Sequence, residues 1–175
     1  MSCNSFTLNG LNATCKEGKG GILKVWLAPF DDVEYTPDSS NNTISISDVN
    51  AFKCYAFRRN SASATTTGQY NDNAGNTQAT DLVMDFMKQD AVKRLEISAL
   101  LQSATCAVYK DANNVYHFIG ATYPVEPNAN EAATGQAMTD TNHYSITLHD
   151  EDDHLPYILD ASTAAAIEAI TPPAV

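Results

Sequence analysis

Short segments that are apolar, or that alternate between apolar and polar side chains, recur along the chain and predict a fold built mainly from strands. The clearest are residues 21–29 (GILKVWLAP), 52–58 (FKCYAFR) and 79–88 (ATDLVMDFMK). They are rich in the β-branched and aromatic residues that fit a pleated, partly buried surface. Gly, Pro, Asp or Asn residues near their ends favour turns and bound the predicted strands.

Further segments of the same kind complete the predicted sheet. The two segments on either side of the turn at 111–114 are predicted to form a hairpin. In total the sequence predicts six to eight strands, and the fold class is mainly β (α+β). These further segments are residues 43–47, 105–110, 115–120, 143–149 and 155–159.

One amphipathic helix is predicted over residues 91–103, and it starts after Asp90. Asp160 is predicted to cap a second, weak, Ala-rich helix that ends before Pro172. For the first helix, the spacing assigns an apolar side to Val92, Leu95, Ala99, Leu100 and Leu101, and a solvent side to Lys93, Arg94, Glu96 and Gln102.

Two polar stretches, residues 35–42 and 126–141, are predicted to be loops from their content of turn-forming residues. Such residues interrupt the alternation that marks the strands on either side of them. The predicted sheet is therefore joined by long polar connections at these two places.

Residues 60–80 form the most polar stretch, in which Tyr70 is the only large apolar side chain. A disordered linker is one interpretation, because so few apolar groups cannot offset the entropy of ordering. A long hairpin that orders against a neighbouring subunit is the other, because the Thr content favours strands and residues 71–75 (NDNAG) favour a turn. As an oligomerisation arm, it would make its contacts through Ser61, Ser63, Thr65, Thr67, Gln69, Tyr70, Asn76 and Gln78.

The net charge of −11 is concentrated in the last third of the chain. Up to residue 110 there are eleven acidic and ten basic residues, whereas residues 111–175 have ten acidic residues and no Lys or Arg. Such a chain lacks the basic surface of a tight nucleic-acid binder. The acidic surplus is interpreted either as a solvated face or as a surface that repels another polyanion.

Short motifs of enzyme chemistry are missing from the sequence, so neither an enzyme nor a cofactor is predicted. There is no GxSxG, HExxH, GxxxxGK[ST] or GxGxxG pattern. Residues 149–154 (HDEDDH) have the composition of a metal site but not the spacing of an EF-hand, and a solvated acidic turn is the favoured interpretation. His117 and His143 are predicted to be packed or surface side chains rather than catalysts.

The four cysteines, at positions 3, 15, 54 and 106, match no zinc or CxxC spacing and are predicted to be reduced. Cys3 and Cys15 could pair only if their Cα atoms came within about 7 Å. No run of eighteen apolar residues and no signal peptide occurs, so we expect neither membrane insertion nor export.

The order of these elements resembles the tail-tube-like proteins of tailed bacteriophages, including neck ring proteins, as found in Bacteroidales-infecting and crAss-like phages. Together with the polar segment 60–80, the segments that carry the resemblance cover about two-thirds of the chain. They are CNSFTLNGLNATCKEGKGGILKVWLAPFDDV (3–33), TDLVMDFMKQDAVKRLEISALL (80–101), CAVYKDANNVYHFIGA (106–121) and NHYSITLHDEDDHLPYIL (142–159).

The resemblance implies a tail-tube-like β-sandwich or partly closed barrel with one flanking helix. Residues 1–160 would form one domain with an assembly arm at 60–80, and residues 161–175 an Ala/Pro-rich tail. The HDEDDH turn and the Ala-rich tail depart from similar proteins. Copies would form a hexameric or dodecameric ring around a channel.

In function, the resemblance implies a virion structural protein without enzymatic activity, made in the host cytoplasm and located in the tail or neck. Its partners would be copies of itself and other neck or tail proteins, and DNA would pass through the channel without specific binding. The alternative is a secreted or surface β-sandwich binding module, an adhesin or a carbohydrate-binding domain. Exposed aromatic side chains would be its signature, and the one tryptophan, Trp26, lies in a strand predicted to be buried.

Overall fold

The structure is a computed structural model that describes residues 18–38, 43–70 and 75–172. In these residues, eleven strands form two sheets. The seven-stranded sheet has the order β2-β3-β11-β8-β7-β1-β4, and the four-stranded sheet has the order β5-β6-β10-β9. The strands are β1 (Ile22–Pro29), β2 (Tyr35–Asp38), β3 (Thr43–Ile46), β4 (Lys53–Ala56), β5 (Ala62–Gln69), β6 (Thr77–Met87), β7 (Thr105–Asp111), β8 (Tyr116–Ile119), β9 (Glu126–Ala133), β10 (His143–Asp152) and β11 (Tyr157–Leu159); the helices are α1 (Ala91–Leu100) and α2 (Ala161–Glu168).

One hydrophobic core fills the space between the two sheets. Since successive side chains of a strand point to opposite faces, β1 contributes Val25 and Leu27 to this core. Leu82 of β6 and Ile146 of β10 meet them from the four-stranded sheet, and α1 adds Ile97. The sheets therefore form a sandwich, and neither closes into a barrel in the described part of the chain.

A second core lies on the other face of the seven-stranded sheet, where α2 covers it. The intervening residues of β1 point this way, with Trp26 fully buried beside Phe118 of β8. Ile167 of α2 is also fully buried against this face. The molecule thus has three layers: the four-stranded sheet, the seven-stranded sheet and α2.

Glu168 of α2 joins the helix to three strands of the seven-stranded sheet. Lys24 of β1 and Lys110 of β7 donate to its carboxylate at 2.6 and 3.1 Å, and the Tyr116 hydroxyl of β8 donates at 2.7 Å. Burial acts to raise the pKa of Glu168, but these hydrogen bonds outweigh it and hold the pKa at about 2. Residues 161–170, set apart in the sequence as part of a tail, therefore pack as part of the folded domain.

Both helix starts predicted from the sequence are confirmed. The Asp90 side chain accepts a hydrogen bond from the Lys93 backbone N–H at 2.8 Å, and that of Asp160 accepts from the Thr163 N–H at 3.2 Å. These bonds satisfy backbone donors that have no partner within the first turn of a helix.

The predicted apolar side of α1 is wrong in part. Val92 and Leu95 are 79% and 75% exposed, whereas Ile97 and Leu100 are buried against the first core. The helix meets the sandwich along the Ile97 row, since one row is enough to close the end of the core between the sheets. The other apolar row is left in solvent.

Two of the predicted loops contain strands instead. Within residues 35–42 the structure has β2, paired with β3, and residues 39–42 lie outside the described part. Within residues 126–141 it has β9, paired with β10. Both are edge strands, whose backbone hydrogen bonds form on one side regardless of side-chain polarity, so alternation gave no signal.

The described parts of residues 60–80 belong to two paired strands rather than to a linker: β5 pairs antiparallel with β6 from Ala62 opposite Met84 to Gln69 opposite Thr77. The four residues at its tip, 71–74, lie outside the described part. The hairpin is continuous with the core, since Ala62 and Leu82 both belong to the cluster between the sheets.

The two described cysteines, Cys54 and Cys106, are free and buried. Burial raises the pKa of the Cys106 thiol to about 12, so it stays protonated at neutral pH. Cys3 and Cys15 lie outside the described residues. No helix in the described part is both long and apolar enough to cross a membrane.

Candidate assembly surface

The outer face of the four-stranded sheet is polar and acidic. In the described strands no Lys or Arg side chain points to this face, while five carboxylates do. The outward side chains are Ser63, Thr65, Thr67 and Gln69 of β5; Thr77, Ala79, Asp81, Val83, Asp85 and Met87 of β6; His143, Ser145, Thr147, His149 and Glu151 of β10; and Glu126, Ala129, Glu131 and Ala133 of β9.

One row of this face crosses all four strands and is fixed by a hydrogen bond between two of its side chains. Thr65, Asp81, His149 and Glu126 are successive cross-strand neighbours. The His149 Nδ1 lies 2.7 Å from the Asp81 Oδ1. Further along the same strands, the Thr77 hydroxyl donates diagonally to Glu151 at 3.0 Å. The polar side chains are thus held flat against the sheet by one another.

Both edges of this sheet are open in the described structure. β5 and β9 are eight residues long, and each pairs on one side only. β9 also contains an irregularity, because Thr147 pairs with Ala129 and Leu148 with Pro127, which leaves Asn128 unpaired. Open edges of this length are templates for pairing with another strand.

The eight residues predicted for the oligomerisation arm divide into three groups. Ser63, Thr65, Thr67 and Gln69 are exposed on the outer face, as the hairpin interpretation requires. Tyr70, 76% exposed, and Asn76 flank the tip of the hairpin.

The other two are buried or half-buried. Ser61 is buried, and its carbonyl accepts from the Asp85 N–H at 2.8 Å. Gln78 is half-buried on the inner face, in register with Gly68 and Asp152. These two side chains are therefore not part of the exposed surface.

The predicted solvated acidic turn at HDEDDH is wrong for two of its residues. Asp150 and Asp152 are 4% and 3% exposed, because they continue the inward row of β10 after Ile146 and Leu148. The connection from β8 to β9 passes over this end of the sheet and supplies backbone donors. Asp150 accepts from the Gly120 N–H at 3.2 Å, and Asp152 from the Thr122 N–H at 3.3 Å.

The surroundings of Asp150 raise its pKa. Burial, and then the nearby charge of Asp152, raise the pKa of Asp150 to about 6, while the hydrogen bond from Gly120 acts in the opposite direction. Gly120 itself has φ +81°, and a Cβ there would lie 2.8 Å from the Val125 side chain. The β8–β9 connection is therefore held by the Asp150 carboxylate and changes direction at Gly120.

Three side chains at the end of β10 could in principle approach one cation. The ligand atoms of Asp152, Asp153 and His154 lie within 4.8 Å of one another. Asp152 already accepts from Thr122 and from the Asp153 N–H at 2.8 Å, and its Oδ2 lies 3.3 Å from the His154 Nε2. The cluster is explained by these internal contacts.

The other two histidines are packed, as predicted. His117 stacks on Tyr109 at 4.9 Å between ring centroids, and burial lowers the pKa of His117. His143 is half-buried at the start of β10, with its Nδ1 buried and without a hydrogen-bond partner among the described residues.

Sequence reasoning missed two features, one at the edge of this surface and one beside α1. The first is β9, whose polar residues hid an edge strand. The second is a groove between α1 and β4. Its one signal in the sequence was that α1 has more apolar residues than the contact with the core buries.

Comparison with protein-family models, curated proteins and solved structures finds no significant match, so the surface is interpreted from its own geometry.

Proposed function

We propose that this chain is a ring-forming structural subunit of a phage tail tube or neck, whose channel conducts DNA and which has no enzymatic activity. The observation that carries the proposal is the four-stranded sheet. Its outer face carries five carboxylates and no Lys or Arg in the described strands, and both its edges are open.

The direction of the edge strands supports closure of a ring. We call the end of this sheet where β5 begins and β9 ends the upper end; β6 ends there and β10 begins there. Copies related by rotation about one axis keep their upper ends on the same side. β9 of one copy then lies antiparallel to β5 of the next, as in every other pair of this sheet.

The charge of the outer face supports a channel for DNA. Its five carboxylates are Asp81, Asp85, Glu126, Glu131 and Glu151. If the sheets line the channel, these groups face the phosphates and repel them, and no cation of the described strands is placed to hold DNA by releasing its counterions. A duplex then passes without being retained.

A secreted binding module is the second candidate, and the structure gives it less support. Trp26 is fully buried, and its indole N–H donates to the Ile170 carbonyl at 3.1 Å, so it cannot stack on a sugar ring. Such a module would also remain monomeric, with its edges protected.

The test is the mass in solution by light scattering, together with negative-stain images, over a hundredfold range of protein concentration. We expect rings with a central hole, whose rotational order distinguishes a hexamer from a dodecamer. A monomer at every concentration, with glycan binding on an array, would contradict the proposal and favour the module.

A further inference from the structure

An apolar groove of about 650 Å³ lies between α1, the edge strand β4 and residues 170–172. Its walls include Tyr55, Phe86, Val92 and Pro172. The Tyr55 hydroxyl donates to Glu96 at 2.6 Å, and the Phe86 ring packs edge-on against the Tyr55 ring at 6.0 Å. The groove is thus built by side chains that already have fixed partners.

The rim of the groove carries the apolar row of α1 that the core leaves uncovered. Val92 lines the groove and is 79% exposed, and Leu95 beside it is 75% exposed. Uncovered apolar side chains next to an apolar groove mark a surface that another protein covers.

The distribution of charged residues indicates which surface of another copy covers the groove. Residues 53–70 and 88–102 contain six basic and two acidic residues, whereas residues 120–142 contain three acidic and no basic ones. The two acidic residues of the first region have partners, since Asp90 pairs with Lys93 and Glu96 accepts from Tyr55. No ion pair joins the others to the described part of the chain: Lys53, Arg58, Arg59, Lys88 and Arg94 on one side, and Glu126, Glu131 and Asp140 on the other.

The acidic region also presents an apolar side chain. Met138, in the loop 134–142 between β9 and β10, is fully exposed. The loop has a defined shape, because the Asp140 carboxylate accepts from the Gln136 and Ala137 N–H groups at 2.8 Å each. It is also tied down at its end, where the Lys88 N–H donates to the Asn142 carbonyl at 2.7 Å.

The proposed ring brings these two regions together. The loop 134–142 lies at the upper end, where β9 ends, and Arg58 and Arg59 lie at the upper end, just before β5 begins. α1 starts there as well, directly after β6. When β9 of one copy lies antiparallel to β5 of the next, the acidic loop faces the basic residues and the groove.

We propose that the α1–β4 groove of each copy receives the Met138 loop of the next copy, with Glu131 near the end of β9 and Asp140 of the loop facing Arg58 and Arg59. This inference rests on the proposed ring and names its second contact. The contact is heterologous, so it closes only around a ring and leaves no free groove in it.

Disulfide trapping tests the contact directly. In a chain with Cys3→Ser, Cys15→Ser and Cys54→Ala, the last because Cys54 lines the groove, we combine Met138→Cys with Val92→Cys and oxidise the assembled protein. A ladder of covalent oligomers on a non-reducing gel, ending at the number of copies in the ring, is expected from the pair and not from either single variant. A band of monomer mass only, from a protein that forms rings, would overturn the inference and leave the ring intact.

Charge exchange tests the same contact without a crosslink. Arg59→Glu and Glu131→Lys are each expected to raise the concentration needed for ring formation at least tenfold, and the two together to restore it. Met138→Asp is expected to act like the single variants, with Met138→Leu as the matched control. Normal ring formation by all of them would contradict this contact alone, whereas a wild-type chain that forms no rings would contradict the proposed function as well.

Discussion

Asp150 and Glu168 are carboxylates of the same acidic third of the chain, yet their surroundings shift their pKa values in opposite directions. Glu168 has three donors from three strands, which hold its pKa at about 2. Asp150 is buried next to Asp152, and this raises its pKa to about 6. Composition predicts the same pKa shift for both carboxylates. The difference comes from the fold, which buries Asp150 beside Asp152 and brings three side-chain donors to Glu168.

Replacement of Asp150 by Asn is expected to stabilise the protein above pH 6. The pKa of Asp150 is higher in the folded state than its ordinary value of 3.8, so its contribution to stability is present below about pH 4 and lost as pH rises through 6. Asn keeps an oxygen for the Gly120 N–H without the buried charge. We expect a gain of up to about 3 kcal/mol at pH 7.5 and little change at pH 4.

Urea unfolding at the two pH values measures this difference. Asp153→Asn, at a side chain that is 83% exposed, is the matched control and is expected to change neither value. An Asp150→Asn protein that is less stable than the wild type at pH 7.5 would show that the carboxylate is needed in its charged form.

Among the elements, the polar edge strands are the ones that sequence could not predict. The alternation of apolar residues predicted β1, β4, β10 and most of β6, because each buries one or both faces. β2 and β9 were predicted as loops, and the β5 segment left two interpretations open. Their main contribution to the fold is backbone pairing, which any side chain permits. The groove beside α1 was missed for a related reason, since helical spacing identifies apolar rows but not which row meets the core.

The free edge of β5 can be tested at one residue. The Asp85 N–H donates to the Ser61 carbonyl, so alternate residues from Ser61 onward pair with β6, and Thr66 directs its N–H to the open side. Thr66→Pro removes that donor and leaves the ladder to β6 in place. We expect it to raise the concentration for ring formation at least tenfold, as measured by light scattering.

Thr66→Val is the matched control, because it also loses the hydroxyl contact with Thr80 but keeps the N–H. It is expected to assemble like the wild type. Equal behaviour of the two variants would place the contact between copies elsewhere than on the β5 edge.

In the whole molecule, the two sheets differ in how far their faces are covered. The seven-stranded sheet has cores on both faces and is held to α2 by Glu168, so it acts as the rigid support. The four-stranded sheet is covered on one face only and keeps its polar face and edges free for other contacts. In a ring, this arrangement would place the supported layer outside and the acidic face toward the axis.

In the proposed ring, reversal of charge on that face is expected to produce a channel that retains DNA. Asp85→Lys and Glu151→Lys lie on the two central strands, away from the edges, so assembly is expected to be unchanged. Anisotropy of a labelled short duplex should show binding by the variant ring, weakened about tenfold or more between 50 and 200 mM salt.

Asp31→Lys with Asp32→Lys makes the same change in net charge on exposed residues outside the four-stranded sheet. That protein is expected to bind DNA no better than the wild type. If it binds as well as the channel variant, overall charge rather than the position of the acidic face decides whether DNA is held.

In the proposed ring, the antiparallel contact of β9 with β5 would give the assembly a polarity. Every copy of that ring would point the same way, so one rim would carry the Met138 loops and the starts of α1, and the opposite rim would carry Tyr70 and Tyr123, both largely exposed. Because the two rims differ, such rings would stack with the front rim of one ring against the back rim of the next. A tube grown from such rings has a distinct front and back, and each end offers a different chemistry to whatever terminates it.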